Sequence, residues 1–325
     1  MGAGLSPSRV VTPVRLTAFA TVAACCLSAT AQMEPRPVGP IRRASESEPA
    51  HDARVAVSNR GTFVITWTTD ADPQNLFVRR FDRAGNPIGP AIPANGSTPK
   101  ADDPRIATDD LGRFVLVWSG WEQGVGTRLF ERLFDFDGTP LTQPAWINTE
   151  LPDDRDVAMD WAGNYVVVWE QASPVCAFDA MGQLFDPRGA PKTPPFLIAN
   201  PTHGYISAAF DRGGDFVTGF EVHFVGSSSS SASTQYIYPY VYARRFDSAG
   251  NPKNDQVFVG YSYGRWFYAH PKVGSDAAGN YVVAWRSGWS HLDHPISTKL
   301  FDRFDNVTRD EREVDPERGN SGFSL

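Results

Sequence analysis

Apolar residues in this chain come in short extended runs rather than at helical spacing. Phe63, Ile65 and Trp67 fall on one side of such a run, and Val64 and Thr66 on the other. The same double loading recurs in Tyr165, Val167 and Trp169 against Val166 and Val168, and in Tyr281, Val283 and Trp285 against Val282 and Ala284. A strand apolar on both faces must be covered on both faces. No stretch sustains a 3.6-residue apolar period, which predicts few helices.

Each run follows a turn, and the turn glycines set a period. Gly61, Gly112, Gly163 and Gly214 are each 51 residues apart, and Gly279 follows after 65. The copies are Asn59–Trp67, Asp109–Trp118, Asp160–Trp169, Asp211–Phe220 and Asp276–Trp285. A second motif keeps step with them: Arg80–Pro87, Leu133–Pro140, Leu184–Pro191, Arg245–Pro252 and a degenerate Leu300–Val307. A repeat of this length is the signature of stacked supersecondary units. In the second copy the pattern predicts strands at Arg105–Thr108, Arg113–Trp118, Arg128–Phe134 and near Ala145–Asn148. The joining turns place glycine where φ is positive and Asp where it can bond its own backbone. The fold class that follows is all-β: a β-propeller of about five four-stranded antiparallel blades built from the 51-residue repeats. Radial blades cover every second strand front and back, whereas a sandwich leaves one face wet.

The paired motifs Asp-x-x-Gly-x-Phe-Val-Val-x-Trp and Arg-x-Phe-Asp-x-x-Gly-x-Pro resemble the tandem repeat of a large, mostly uncharacterised group of bacterial exported propeller-like proteins. The resemblance spans about residues 51–315. It implies a surface or secreted binding protein and carries no catalytic residues with it.

The flanks add an address. Residues 1–31 read as a signal peptide: Arg9 and Arg15, then the apolar run Leu16 to Leu27, then Ala29-Thr30-Ala31 before Gln32. That run is shorter than the roughly 20 residues a membrane span needs. Val22-Ala23-Ala24-Cys25 also resembles a lipobox, so the alternative to simple secretion is a lipid anchor on Cys25. Residues 32–50 then form a linker, 51–315 the propeller and 316–325 a tail. Within the linker, Pro37-Val38-Gly39-Pro40-Ile41 echoes Pro87-Ile88-Gly89-Pro90-Ala91, which predicts an outer strand closing the last blade. That blade's own fourth strand, near Arg312-Glu313-Val314, is weak. In repeat four, 32 residues separate Gly214 from Phe246, against 22 between Gly163 and Phe185. The excess holds Ser227 to Ser231 and reads as a loop.

Cleavage after Ala31 leaves Cys176 as the one cysteine, so packing rather than disulfides must hold the chain together. A net charge of −7 without a basic stripe argues against a nucleic-acid partner. Serine elbows, phosphate-cradling glycine loops and HExxH are absent, and no cofactor or metal is expected.

Departures from the repeat are the better functional candidates, because the scaffold does not demand them. Where the first strand of each repeat begins, the aligned positions read Asp52, Asp103, Asp154, Tyr205 and His270. These residues are expected to ring one mouth of the central channel, where they suit a cation, a sugar or acid–base chemistry. Trp121 and Trp289, each just past a second strand, offer flat platforms for sugar rings. The recurring Asp109, Asp160, Asp211 and Asp276 read as turn closers. Asp135-Phe136-Asp137-Gly138 lacks the later acidic ligand of a calcium loop, His291 and His294 lack a third metal partner, and Asn95 and Asn306 fit the glycosylation sequon. The sequence thus favours a non-catalytic extracellular or cell-surface binding or adhesion module for a carbohydrate or protein. The alternative is a carbohydrate-active hydrolase or lyase using carboxylates at the channel mouth.

Overall fold

A computed structural model describes residues 44, 45, 49–70, 75–98, 100–147, 154–173, 178–202, 204–227, 235–262, 268–288 and 295–314, with side chains omitted at 224–227 and 235–238. Twenty strands form five sheets of four. The first blade is β1 (Ala50–Val57), β2 (Phe63–Thr69), β3 (Leu76–Phe81) and β4 (Pro87–Pro93). The second is β5 (Ala101–Thr108), β6 (Phe114–Glu122), β7 (Gly126–Phe134) and β8 (Ala145–Ile147). The third is β9 (Arg155–Met159), β10 (Tyr165–Ala172), β11 (Phe178–Phe185) and β12 (Phe196–Thr202). The fourth is β13 (Ile206–Phe210), β14 (Phe216–Ser227), β15 (Gln235–Phe246) and β16 (Val257–Tyr261). The fifth is β17 (Lys272–Ser275), β18 (Tyr281–Arg286), β19 (Ile296–Phe301) and β20 (Val307–Glu313). Each sheet is antiparallel, ordered by sequence, and drawn from one contiguous repeat. Successive first strands lie side by side and the fourth strands face outward, which is the arrangement of a five-bladed β-propeller.

The two repeat motifs keep step because their aromatic residues touch. The ring that opens each second strand stacks on the phenylalanine that closes the third. The pairs are Phe63–Phe81 at 4.9 Å, Phe114–Phe134 at 4.8 Å, Tyr165–Phe185 at 4.8 Å, Phe216–Phe246 at 5.0 Å and Tyr281–Phe301 at 4.8 Å. Such a pair contributes about 0.5–1.5 kcal/mol beyond the area it buries. Losing either motif therefore leaves the other without its partner.

Between blades the second strands are covered on both faces, as their pattern predicts. Phe114, Leu116 and Trp118 pack against Val64, Leu76 and Val78 of the first blade. From the other side of the same strand, Val115 and Val117 pack against Tyr165, Val167 and Trp169. Val166 and Val168 then meet Phe216 and Phe220, and Val217 meets Tyr281, Val283 and Trp285. Four junctions are filled in this way.

The fifth junction departs from the expectation that all copies are covered alike. Among the described residues no apolar cluster joins the last blade to the first. The face of blade one that points away from blade two carries Val55, 54% exposed, and Val57, 63% exposed, with Phe63 and Ile65 half-buried, while Trp67 and Phe81 on the same face are buried. The corresponding face of blade five offers Lys272, Gly274, Val282 and Ala284, which present little apolar bulk. β20 supplies the fourth strand of blade five from within its own repeat. The predicted closing strand Pro37–Ile41 lies outside the described residues, as do Trp289, Cys176, His291 and His294.

Part of the insertion of repeat four lengthens a hairpin, while the rest of the expected serine loop, Ser228 to Ser231, lies outside the described residues. β14 and β15 are 12 residues long and stay paired from Phe216↔Phe246 out to Ser227↔Gln235. Within this hairpin, Tyr240 packs on Phe258 and Tyr261 of its own blade.

One carboxyl is buried inside a junction. Glu131 on β7 is 6% exposed and accepts a hydrogen bond from the Tyr165 hydroxyl at 2.7 Å. Burial pushes its pKa up to about 7, against the smaller opposing effect of that hydrogen bond. The folded state thus favours the neutral acid. Its stabilising contribution is complete below the ordinary value of 4.5 and is lost as pH rises through about 7. Glu131→Gln is expected to remove a loss of about 3 kcal/mol between pH 5 and pH 8, and to be the more stable protein at pH 8. Denaturant melts across that range measure it, and parallel curves for the two proteins would contradict it.

The packing gives a second test. Trp118 and Trp169 are fully buried while Trp121 is 62% exposed. Trp118→Ala and Trp169→Ala are each expected to cost about 3–5 kcal/mol, and Trp121→Ala less than about 0.5 kcal/mol. Equal losses at Trp118 and Trp121 in urea melts would refute this register.

Candidate functional site

The antiparallel order gives the propeller two unlike ends. One end carries the turns between first and second strands and between third and fourth strands. The other carries the loops between second and third strands and the connections from blade to blade.

At the turn end the repeat aspartates close their own turns. Asp109, Asp160, Asp211 and Asp276 each accept two backbone N–H groups on Oδ1, at 2.7–3.1 Å. These turns line an axial cavity of about 490 Å³ to which all five blades contribute. Glycine three residues after each Asp has positive φ, and it lies close against the preceding blade. Gly163 has φ 92°, and a Cβ there would meet the Arg113 guanidinium at 2.3 Å; Gly279 has φ 84°, and a Cβ would meet Asp211 Oδ2 at 2.9 Å. Each turn thus also seats the next blade. Asp135 and Asp137 spend carboxylate oxygens on the N–H groups of Phe136 and Thr139, again as a turn. Asn95, one of the two sequon asparagines, is fully buried and accepts the Leu76 N–H.

The loop end holds the five predicted ring residues, all where a first strand begins. Asp52, Asp103 and His270 have φ of 49°, 44° and 47°. At Asp52 and Asp103 this coincides with a bulge in the pairing of the first strand with the second. Asp and His tolerate the left-handed region better than most residues, and the bulge turns their side chains along the channel wall.

The ring divides into two chemically different arcs. In blades one to three it is an ion-pair belt. Asp103 accepts from Arg54 at 2.9 Å, from Arg155 at 3.1 Å and from Arg105, so arginines of three blades converge on one carboxylate. Arg105 also reaches Asp154 at 3.3 Å, and Asp154 accepts the Ile206 N–H of blade four at 2.9 Å. Burial alone would raise the Asp103 pKa, but the three guanidiniums hold it below its ordinary value. Asp154 moves the other way: burial raises it against the pull of Arg105. Asp52 is exposed, and its carboxylate accepts from the Thr68 hydroxyl at 3.5 Å.

In blades four and five the ring becomes aromatic. Tyr205 and His270 lie ring on ring with centroids 3.5 Å apart, and Tyr268 stands edge-on to Tyr205 at 5.4 Å. Tyr268 is 42% exposed. Behind them Glu221 is fully buried, accepting the N–H groups of Ala269 at 2.8 Å and His270 at 3.3 Å, with His223 Nε2 at 2.5 Å. Burial raises the Glu221 carboxyl well above its ordinary range and lowers His223 to about 4. Burial likewise raises Tyr205 to about 12, aided by Asp154 and Glu221.

Glu221 belongs to a series not evident among the ring candidates. The residue after the marker aromatic reads Thr68, Ser119, Glu170, Glu221 and Arg286 around the five blades. Glu170 accepts the Gly204 N–H of the next blade at 3.0 Å, just as Glu221 accepts those of blade five. Of the remaining candidates, Trp121 is exposed at the end of β6, away from this corner. No group of three His, Cys, Asp or Glu able to hold a metal ion exists among the described residues.

The chain matches no family model and no curated protein. Solved structures do share its architecture. It is similar to an ulvan lyase of a new polysaccharide-lyase family, with TM-score 0.51 and 11% identity over 84% of this chain and 71% of that one. A Hadza microbial sialidase gives TM-score 0.52 and 12% identity over 83% and 59%. A Dyadobacter fermentans protein of unknown function gives 0.50 and 12% over 85% of each chain. At such identity the likeness is one of fold alone, and the class defined here is the five-bladed propeller with a belted and partly aromatic channel mouth.

The belt makes Asp103 a structural charge. Asp103→Asn is expected to cost about 1.5–3 kcal/mol, because buried Arg155 loses its carboxylate while Arg105 keeps Asp154, whereas Asp52→Asn stays within about 0.5 kcal/mol. The stability owed to the Asp103 charge is present above its ordinary value of 3.8 and is lost as pH falls through its depressed folded value. Thermal melts at pH 7 and pH 3 check both statements: the gap between wild type and Asp103→Asn should narrow at pH 3.

Proposed function

We propose that this chain is an exported, non-catalytic carbohydrate-binding module whose site is the loop-end mouth at blades four and five. The observation that carries this reading is the convergence of Tyr205, Tyr268 and His270 within ring-contact distance at the start of the inner strands. Flat rings with a polar edge suit the apolar C–H face of a sugar while leaving its hydroxyls to water. The signal-like residues 1–31 support export. Glycoside hydrolysis needs two carboxyl groups free to flank the scissile bond. Asp103 and Asp154 are engaged in the belt, which supports binding over catalysis.

A second reading is a carbohydrate-active hydrolase or lyase. It is favoured by the opposed pKa displacements of Asp103 and Asp154, a pattern that acid–base pairs use. That a polysaccharide lyase and a sialidase share the propeller fold is compatible with it.

A glycan array followed by titration calorimetry on the best hits tests the two. Binding without product release is expected, and Tyr268→Ala should weaken it about tenfold at unchanged melting temperature. Steady release of reducing or unsaturated ends from a bound polysaccharide would replace the first reading with the second.

A further inference from the structure

In the series Thr68, Ser119, Glu170, Glu221, Arg286, the last member reverses the charge of the two before it. Glu170 and Glu221 serve the scaffold by accepting N–H groups of the following blade. A guanidinium has no acceptor and cannot take that role. Repeat five has also gained this residue: Trp118 runs directly into Ser119-Gly120-Trp121, whereas Arg286 intervenes between Trp285 and Ser287-Gly288-Trp289.

Among the described residues the side chain of Arg286 has no scaffold partner. Its Nε is buried without a hydrogen bond, and among the described residues its guanidinium makes no ion pair. Two other arginines with an unbonded buried nitrogen differ in this respect. Arg80 bonds the Phe136 carbonyl at 2.8 Å, and Arg245 lies 3.7 Å from Asp305. Buried polar atoms in native proteins are nearly always satisfied, so a buried, unbonded nitrogen on a charged group points to a missing partner more strongly than the unbonded hydroxyls of Ser119 and Ser207 do. The backbone of Arg286 is fixed by its N–H to the Ala269 carbonyl at 2.7 Å, which sets it beside the segment before β17 that carries Tyr268 and His270. Its charge acts on the Tyr205 phenol.

Nearby acids do not neutralise it. Asp154 is paired with Arg105, Glu221 is held by blade five and His223, and Lys272 pairs with Asp156 at 3.7 Å. Asp52 is exposed and makes no ion pair with Arg286 among the described residues. What remains is one unmatched cation whose backbone is bonded to Ala269, between Tyr268 and His270, and whose charge reaches Tyr205.

We infer that the sugar bound at this mouth is acidic, and that Arg286 receives its carboxylate or sulfate group while Tyr205 and Tyr268 hold the ring. The planar fork of arginine matches either anion with two parallel hydrogen bonds. This inference rests on the carbohydrate-binding reading above and adds the ligand's charge to it.

The test uses matched probes on the full exported chain: polygalacturonate oligomers against their carboxyl-reduced form, and dextran sulfate against dextran. Calorimetry is run on wild type, Arg286→Gln, Arg286→Lys and Tyr268→Ala, with thermal melts to confirm folding. The acidic member of at least one pair should bind about tenfold or more tightly than its neutral match. Arg286→Gln should abolish that preference, Arg286→Lys should restore part of it, and Tyr268→Ala should weaken both members while keeping the preference. The pair that shows the effect identifies the anion. Neutral and acidic probes binding equally, or an acid preference unchanged in Arg286→Gln, would overturn the inference and leave the binding reading standing. No binding of any probe or array glycan would overturn both.

Discussion

The rest of the structure depends on the burial of the second strands between neighbouring blades. A four-stranded sheet alone exposes two apolar faces and has no reason to persist in water. Set radially, each sheet becomes its neighbour's solvent shield, and the large residues Trp118, Trp169 and Trp285 vanish from the surface. Everything else follows the geometry that this packing imposes. First strands must converge on an axis, and fourth strands must face outward. The two ends of the barrel-like stack are then left to short turns and to loops.

Once the strands converge, their opening residues are forced together whatever their chemistry. In blades one to three that crowding is resolved by charge pairing between residues about one repeat apart. Asp103 holds arginines from its own blade and from both neighbours. In blades four and five the same positions hold rings. The scaffold is therefore uniform in backbone and divided in character, and the division falls between Asp154 and Tyr205, still within the 51-residue period.

Much of the fold was legible because the repeat presents the same local decision five times. The strands of repeat two were placed within a few residues of β5 to β8, and the two motifs proved to be halves of one stacked pair. The candidate ring was legible as a set of positions, but its pairing was not. Arg155 lies opposite Trp169, at a register where the second repeat has its bulge, so alignment by spacing alone could not bring it to Asp103. Glu170, Glu221 and Arg286 were overlooked although a signal existed: two acids and a base at one column of an otherwise neutral series. Tyr268 lies in the stretch that makes the last spacing 65 residues, where the period gives no guidance. The uncovered side of blade one was missed because a strand's pattern reports what it needs and not what its neighbour supplies.

The thin packing between the last and first blades, among the described residues, makes the molecule a ring in outline and closer to a linear array in energy. A closed cycle of five equal contacts would share any local opening with both neighbours and unfold as one. Here, among the described residues, four junctions carry apolar clusters and the fifth does not, so the first and last blades are held mainly from one side. Amide exchange should accordingly grade from the terminal sheets inward, with the second to fourth blades as the slow interior. Arg286 and Tyr268 sit on one of those terminal sheets, so the surface assigned to the ligand is carried by a part of the protein able to shift without disturbing its middle.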